Sequence, residues 1–193
     1  TRSNIVTTLR RFIENYTKLT ESDWLIIQQA FERKEVAKNE ILVEEGKICR
    51  YFFFLEKGLV RCFINNDGNE VTKFFTISPY CFTSKNSFRE QLPAQDSIQA
   101  LDDCIVWQTT FKQANELLEL KSWNEFVREF LHEVQNHFEM TLMEIRSKTA
   151  EQRYVELLQR YQTEMDKIPL KHLSSYLGIA PQSLSRIRKK IQF

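Results

Sequence analysis

The stretch from Leu170 to Ile191, LKHLSSYLGIAPQSLSRIRKKI, has the pattern of two short helices joined by a tight turn. One face of the first helix is formed by leucines three and four residues apart, Leu170, Leu173 and Leu177. Gly178 follows, at a position where helices commonly end in a left-handed residue. Pro181 then suits the first turn of a second helix. The stretch therefore predicts a helix-turn-helix.

The second predicted helix has an apolar inner face and a polar, basic outer face. The inner face consists of Leu184, Ile187 and Ile191. The outer face carries hydrogen-bonding and cationic side chains, which are Gln182, Ser183, Ser185, Arg186, Lys189 and Lys190. Side chains of these types suit a helix that lies in the major groove of DNA. A terminal helical hairpin with a solvated basic face would show the same short pattern, and this alternative stays open.

Positive charge is concentrated in the same part of the chain. Residues 166–193 contain six basic residues and one acidic residue, a net charge of +5, whereas the whole chain carries only +1. The first 165 residues are therefore net −4. Attraction to phosphates requires such a local concentration, so the distribution supports DNA binding. Ala180 is a point against it, because an alanine at the N-cap offers no side-chain acceptor to the first turn.

Length and composition are those of a globular protein. The 193 residues have room for one medium and one small domain, and 42% of them are hydrophobic and 27% charged. No run approaches the length of a membrane-spanning segment and no signal segment is visible, so we expect a cytoplasmic location and no membrane partner. The four cysteines are widely separated and have no histidine pair nearby, so we expect no metal and no cofactor.

Catalytic patterns are also missing from the sequence. It contains no activated nucleophile, no carboxylate pair with an evident role and no glycine-rich phosphate loop, so we expect no enzymatic activity.

Between residues 33 and 110 short strand-like runs alternate with turn signals. The predicted strands are Glu40–Glu44, Tyr51–Leu55, Leu59–Ile64, Val71–Ile77, Ser97–Leu101 and Cys104–Thr109. Asn66-Asp67-Gly68 between two of them is typical of a β-hairpin. Closely spaced strands without intervening helices predict an antiparallel jelly roll, and with the helices on either side the fold class is α+β. This half is also rich in phenylalanine, so a small barrel could be filled by its own side chains; the phenylalanines are Phe52, Phe53, Phe54, Phe63, Phe74, Phe75, Phe82 and Phe88.

Helices are predicted on both sides of the strand region. Residues 4–31 are predicted to be helical, with a second helix beginning near Thr20, and everything from Phe111 onward is helical as well. Trp123–Ser147 is predicted as one long helix whose apolar residues follow 4,3,4,3,4 spacing, at Val127, Leu131, Val134, Phe138, Thr141 and Ile145. This spacing is typical of a coiled-coil seam and predicts a homodimer, although packing on the chain's own roll stays an alternative.

A capping-box pattern at Thr149–Gln152 predicts the start of a further helix that ends near Met165. The predicted domains are therefore residues 1–121 for the sensor roll with its N-terminal helices, 122–148 for the dimerisation helix and 149–193 for the helix-turn-helix.

This order of modules resembles the Crp/Fnr family of bacterial transcription regulators. The most specific matching segments are Glu45-Gly46 followed by Tyr51–Arg61, and the terminal helices. The resemblance implies a cyclic-nucleotide-binding-like sensor domain and a homodimer that binds an inverted-repeat operator in double-stranded DNA. It places the base-reading positions at Pro181, Gln182 and Arg186, and we expect Ser183, Arg188 and Lys189 to contact phosphates.

The residues that would hold an effector depart from the family pattern. Members that bind cyclic nucleotides use a Gly-Glu-Leu turn and an Arg-Ser or Arg-Ala pair. The candidate pocket here consists instead of Phe82, Thr83, Ser84, Lys85, Asp96 and Ser97. A carboxylate in place of the arginine would repel a phosphodiester, and Lys85 could compensate only by turning inward. The effector is therefore expected not to be cyclic AMP. A small-molecule or cyclic-nucleotide receptor whose output is not DNA binding remains the alternative function.

Overall fold

The strands of the chain form a roll of two antiparallel sheets with helices on its outside. The computed structural model describes residues 2–191, with side chains from residue 8 onward. Thr1, Gln192 and Phe193, which the predicted domains include, lie outside the described residues. The strands are β1 (Glu32–Val36), β2 (Ile41–Val43), β3 (Tyr51–Lys57), β4 (Leu59–Asn66), β5 (Asn69–Ile77), β6 (Tyr80–Phe82), β7 (Ser97–Ala100) and β8 (Cys104–Thr110).

The helices lie before, within and after the strand region. They are α1 (Arg2–Glu14), α2 (Glu21–Gln29), α3 (Lys85–Glu90), α4 (Phe111–Leu117), α5 (Lys121–Ser147), α6 (Ala150–Met165), α7 (Leu170–Leu177) and α8 (Pro181–Ile191). Together with the sheets, this arrangement confirms the α+β class.

The two sheets have the strand orders β1-β8-β3-β6 and β2-β7-β4-β5, with antiparallel pairing throughout. All six predicted strands are present. The predicted hairpin joins β4 to β5, where Asn66 pairs with Asn69. Its two turn residues, Asp67 and Gly68, both have positive φ, of 52° and 84°. Such a turn matches the twist of the flanking strands, which explains the Asp-Gly pair.

Two strands and one short helix were missed by the sequence prediction. β1 and β6 are the outermost strands of their sheet. β1 has the sequence ERKEV and buries only Val36, so it lacks the apolar alternation of a half-buried strand. Charged residues on an edge strand also discourage pairing with other chains. β6 and α3 span only three and six residues, too short for a periodic signal.

Strand β3 is covered on both of its faces. Phe53 and Leu55 point into the roll, whereas Phe54 points out and packs against helices α1 and α5. The roll is filled by the chain's own side chains, as predicted, with Phe53 and Phe82 among them. Not every phenylalanine of this region contributes, because successive strand residues alternate between faces. The ring of Phe75, for instance, packs on Tyr176 of α7, and the two ring centroids lie 5.3 Å apart.

The C-terminal helices begin and end where local signals place them. A capping box at Thr149 starts α6, as predicted, and the helix is interrupted at Tyr161, whose φ of −139° and ψ of 42° are not helical. Helix α5 buries Trp123, Phe126 and Phe130 against the roll and the N-terminal helices. A separate apolar cluster holds α6, α7 and α8 together and also contacts Leu59 and Leu101 of the roll.

The four cysteines are buried and carry free thiols. Among residues 2–191 there is no group of three or more potential metal ligands. None of the helices described here combines the length and apolar character needed to cross a membrane.

Candidate nucleic-acid interface and effector pocket

The predicted helix-turn-helix is present as α7, a tight turn and α8. Helix α7 ends at Gly178, which adopts the left-handed conformation with φ 71° and ψ 30°. Leu173, Leu177 and Leu184 are fully buried where the two helices meet. Ser174 is buried at the same crossing, where its small side chain permits close approach. The backbone oxygen of Ala180 accepts hydrogen bonds from the amides of residues 183 and 184. Because alanine has no side-chain acceptor, Ala180 gives α8 no side-chain cap.

The exposed face of α8 brings together most of the predicted DNA-binding residues. The exposed members are Pro181, Gln182, Ser183, Arg186 and Lys189, whereas Ser185 and Arg188 are half-buried. Within the described residues no acidic side chain pairs with Arg186 or Lys189. Lys190 lies 2.7 Å from Glu151 of α6 and is thus held by an ion pair at the surface. The face can therefore offer an amide, a hydroxyl and two cations to a nucleic acid.

Helix α6 fixes the orientation of the two following helices. Arg153 donates from Nη2 to the backbone oxygen of Leu177 at 2.7 Å, at the C-terminal end of α7. Arg188, predicted to contact phosphate, donates from Nε to Tyr154 Oη at 3.1 Å. Its guanidinium also lies 5.8 Å from the centre of the Tyr154 ring. Arg188 thus helps to hold α8 in place. Its partner is Tyr154 of α6, which lies 34 residues earlier in the chain.

In the candidate effector pocket, Asp96 is engaged by the protein's own side chains. Lys73 on β5 donates from Nζ to Asp96 Oδ2 at 2.6 Å, and the Ser84 hydroxyl donates to Oδ1 at 2.6 Å. Burial alone would raise the pKa of Asp96, but the hydrogen bonds from Lys73 and Ser84 outweigh it and hold that pKa below its ordinary value of 3.8. The cation that compensates the carboxylate is Lys73. Lys85, considered for this role from the sequence, is exposed.

The other predicted pocket residues are also engaged within the roll. Phe82 is buried and stacks on Phe53 with ring centroids 4.9 Å apart. Thr83 donates its hydroxyl hydrogen to the backbone oxygen of Tyr51 at 2.9 Å. Ser97 Oγ accepts from the Glu45 amide at 3.0 Å. The hydroxyl groups of Thr83 and Ser97, which could otherwise bind a ligand, are therefore hydrogen-bonded to the backbone of the roll.

Asp96→Asn should destabilise the protein at neutral pH by about 1–2 kcal/mol, since it removes the charge that Lys73 and Ser84 bind. The contribution of a carboxylate whose pKa is lowered by folding is present above its unfolded pKa and disappears as the pH falls through the folded one. Urea unfolding at pH 7 and at pH 3 should therefore show a difference from the wild type that shrinks in acid. Asp67→Asn, in the exposed hairpin turn, is the matched control. Equal stability of both variants at pH 7 would contradict the assigned role.

The predicted seam of α5 is divided between two environments. Val127 and Val134 pack against the roll's own outer cluster, because the helix lies on that cluster along this side. The seam residues that stay exposed are Leu131, Phe138 and Ile145, at 46%, 50% and 52% of their full surface. Leu142, outside the predicted seam, is 52% exposed and extends this row. The exposed row, hereafter the α5 stripe, consists of Leu131, Gln135, Phe138, Leu142 and Ile145, and it also follows 4,3,4,3 spacing.

A polar cluster that the sequence did not reveal joins the roll to α7. Arg61 of β4 is only 2% exposed. Its Nη2 donates to Glu70 Oε2 at 2.6 Å and to Gln99 Oε1 at 2.8 Å, and its Nη1 lies 2.7 Å from His172 Nδ1. The guanidinium also lies 4.0 Å from the centre of the Phe63 ring. Burial and the charge of Arg61 lower the pKa of His172 from 6.5 to about 4, although Glu70 acts in the opposite direction.

Residues 33–121 match the family model of the cyclic nucleotide-binding domain. Among curated proteins, a cAMP-dependent protein kinase regulatory subunit of Blastocladiella emersonii is 23% identical over 101 residues. That match covers 51% of this chain and 25% of the subunit, so the chain spans about a quarter of the length of the relative it matches.

Solved structures extend the likeness beyond the roll. A protein of Eubacterium rectale, described as a transcriptional regulator of the Crp/Fnr family, superposes with a TM-score of 0.71 at 16% identity and covers 90% of this chain and 84% of its own. FixK2 of Bradyrhizobium japonicum gives a TM-score of 0.69 at 16% identity over 84% of each chain.

Proposed function

We propose that this protein is a sequence-specific DNA-binding transcriptional regulator, since residues 33–121 match the model of the cyclic nucleotide-binding domain and the chain shares its fold with Crp/Fnr regulators. The observation that carries the proposal is the exposed face of α8, where Gln182, Arg186 and Lys189 lie together on the second helix of the helix-turn-helix. Such a regulator acts on chromosomal DNA in the cytoplasm. The proposal assigns no catalytic step, cofactor or metal to the chain.

The roles within α8 follow from side-chain chemistry. Arg186 can donate two hydrogen bonds to O6 and N7 of guanine, and Gln182 can pair with the edge of adenine. Pro181 has no side-chain donor and would make apolar contact at most. Lys189 and Ser183 suit phosphates, which set the register of the helix but carry no sequence information.

The partner proposed for the α5 stripe is a second copy of the chain. The stripe is apolar except for Gln135, and a row at coiled-coil spacing on a 27-residue helix is self-complementary about a two-fold axis. Contiguous exposed apolar patches commonly mark protein interfaces. A dimer through this stripe would present two α8 helices to half-sites about 34 Å apart, so the operator should be an inverted repeat.

Cyclic AMP should not bind usefully to the roll. Asp96 presents a carboxylate where the arginine of nucleotide-binding relatives is expected, and Lys73 is already bound to it at 2.6 Å. A phosphodiester would have to displace this pair and approach a like charge, which is costly in a partly buried site. Isothermal calorimetry with cyclic AMP up to millimolar concentration should show no saturable heat. A dissociation constant in the micromolar range would contradict this assignment of the pocket.

The experiment that tests the proposed function is selection of random double-stranded DNA on the purified protein, followed by sequencing. Enrichment of an inverted repeat with half-sites one helical turn apart is expected. The similarity to a kinase regulatory subunit favours one second candidate, a nucleotide receptor whose output is not DNA binding. A fluorescent-nucleotide titration beside a mobility shift separates them. Nucleotide binding together with unselective DNA recovery would favour the receptor.

A further inference from the structure

The contact between the helix-turn-helix and the roll includes one imidazole, that of His172, which lies 2.7 Å from the Arg61 guanidinium. We propose that His172 and Arg61 form a proton-sensitive contact that holds α7 against β5 at neutral pH and releases it in acid. The contact itself does not require DNA binding, and only its consequence for DNA rests on the proposed function.

The geometry leaves His172 a single protonation state. A guanidinium has only donors, so the His172 Nδ1 atom, 2.7 Å from Arg61 Nη1, must accept the hydrogen bond. An imidazolium carries hydrogens on both ring nitrogens and has no acceptor. Protonation would therefore remove the hydrogen bond and bring two cations into contact. Arg61 has no room to withdraw, because its side chain is 2% exposed and is held by Gln99 and Glu70.

The charged groups around His172 favour the neutral ring. Arg61 faces it from β4, and Lys171 adds a further positive charge from α7 itself. Glu70 of β5 favours the protonated ring, but its carboxylate is committed to Arg61 at 2.6 Å. Gln99 of β7 is neutral and also accepts from Arg61. Burial of the ring lowers the pKa of His172, as the two cations do. A proton on His172 is therefore disfavoured while α7 stays on the roll.

The contact lies where movement of α7 would matter. The Thr72 amide donates to Ser175 Oγ at 2.9 Å, and that hydroxyl donates to the Glu70 backbone oxygen at 3.2 Å. β5 is the outermost strand of its sheet, so α7 covers an edge that would otherwise be free. Apolar packing adds to these links, because the α7 leucines share a cluster with Leu59 and Leu101 of the roll and the ring of Tyr176 packs on Phe75. The surface ion pair Lys167–Asp102 lies beside this contact. Polar links between α7 and the roll are few among the described residues, so loss of the Arg61–His172 bond shifts the balance between docked and released forms.

The pH dependence of the release follows from the difference between the pKa values of His172 in the released and docked forms. A released His172 would titrate near 6.5, whereas the docked ring has a pKa of about 4. The released form therefore gains protons as the pH falls through this interval. Between pH 7.5 and pH 5 the ratio of released to docked molecules should rise roughly 10- to 25-fold, the lower figure allowing for solvent screening at a half-buried ring.

The experiment follows His172 and the Thr72 amide by NMR in the full chain. Selective histidine labelling, assigned by comparison with His172→Gln, gives the pKa of His172. Amide exchange of Thr72, corrected for the intrinsic pH dependence, should lose protection 10- to 25-fold between pH 7.5 and pH 5 in the wild type. His172→Gln, whose side-chain oxygen can still accept from Arg61 but cannot titrate, should keep its protection. The Ala94 amide, bonded to the Lys47 oxygen at 2.9 Å, reports any general acid unfolding.

The proposal is overturned if His172 titrates near pH 6.5 in the docked protein, if Thr72 protection is constant, or if His172→Gln loses protection as the wild type does. DNA affinity is measured on both proteins across the same pH range. Absence of DNA binding at every pH would contradict the proposed function and leave the titration result standing, whereas loss of Thr72 protection in the wild type alone supports the contact whatever the DNA result.

Discussion

Replacing Leu131 and Leu142 together with Asp should give a monomer that binds its operator more than about 100-fold more weakly than the wild type. Both side chains lie in the α5 stripe and about half of each is exposed in the single chain. In the proposed dimer the substitutions would place four carboxylates in an apolar seam. A monomer must bind each half-site separately and loses the high effective concentration of the second helix, an effect of about 10²–10⁴-fold.

Sedimentation velocity at micromolar concentration gives the oligomeric state, and fluorescence anisotropy on the selected operator gives the affinity. The matched control is Leu25→Asp with Ile26→Asp, two residues of similar exposure on α2. Val134 and Phe138 are avoided, because Val134 packs against the chain's own core and Phe138 packs on Phe74 of the roll. Replacing either would confuse folding with assembly. A wild-type protein that sediments as a monomer would mean that the α5 stripe has another use.

Arg186→Ala should weaken binding to the selected operator by about 1–3 kcal/mol, or roughly 5- to 150-fold, and relax the base preference at one position in each half-site. The reason is that Arg186 is exposed on α8 and can bond both acceptors of a guanine. The measurement is affinity for the selected operator and for operators with each base changed at that position, at one fixed salt concentration.

Lys189→Ala is the control for Arg186, since it removes a positive charge from the same face of the same helix. It should weaken all sequences alike and reduce the slope of log affinity against log salt by about one. If Arg186→Ala lowers affinity for the operator and for random DNA by the same factor, Arg186 contacts phosphate, and the base-reading assignment is wrong.

Short sequence patterns predicted the turns, the helix ends and the helix faces, because these depend on interactions between residues that are close in the chain. The turn at Asp67-Gly68 requires positive φ at both positions, and few residue pairs adopt it as readily. The capping box at Thr149 and the C-cap at Gly178 each depend on hydrogen bonds within a few residues. The face of α8 follows from helical periodicity, so most of the candidate DNA-binding surface was predictable before the structure was known.

Periodicity identifies a row of residues but not the surface that the row meets. The seam predicted on α5 follows a regular spacing, yet Val127 and Val134 belong to the roll's outer cluster, Phe138 contacts Phe74 of the roll, and Leu131 and Ile145 stay exposed. That division depends on where the roll lies beside the helix. The same limit applies to the phenylalanines, since strand alternation separates Phe53 from Phe54 but does not say which face is inside.

The sequence by itself determined the class of fold, the order of its modules, the basic face of the last helix and the absence of the Gly-Glu-Leu and Arg-Ser patterns. Only the tertiary structure decided which charges meet. Lys73 and Asp96 are 23 residues apart, and Arg61 and His172 are 111 residues apart, so no spacing rule connects them. Such pairs form because sheet pairing and helix docking bring distant backbone segments together, and the strength of each pair then depends on the burial that the same packing creates.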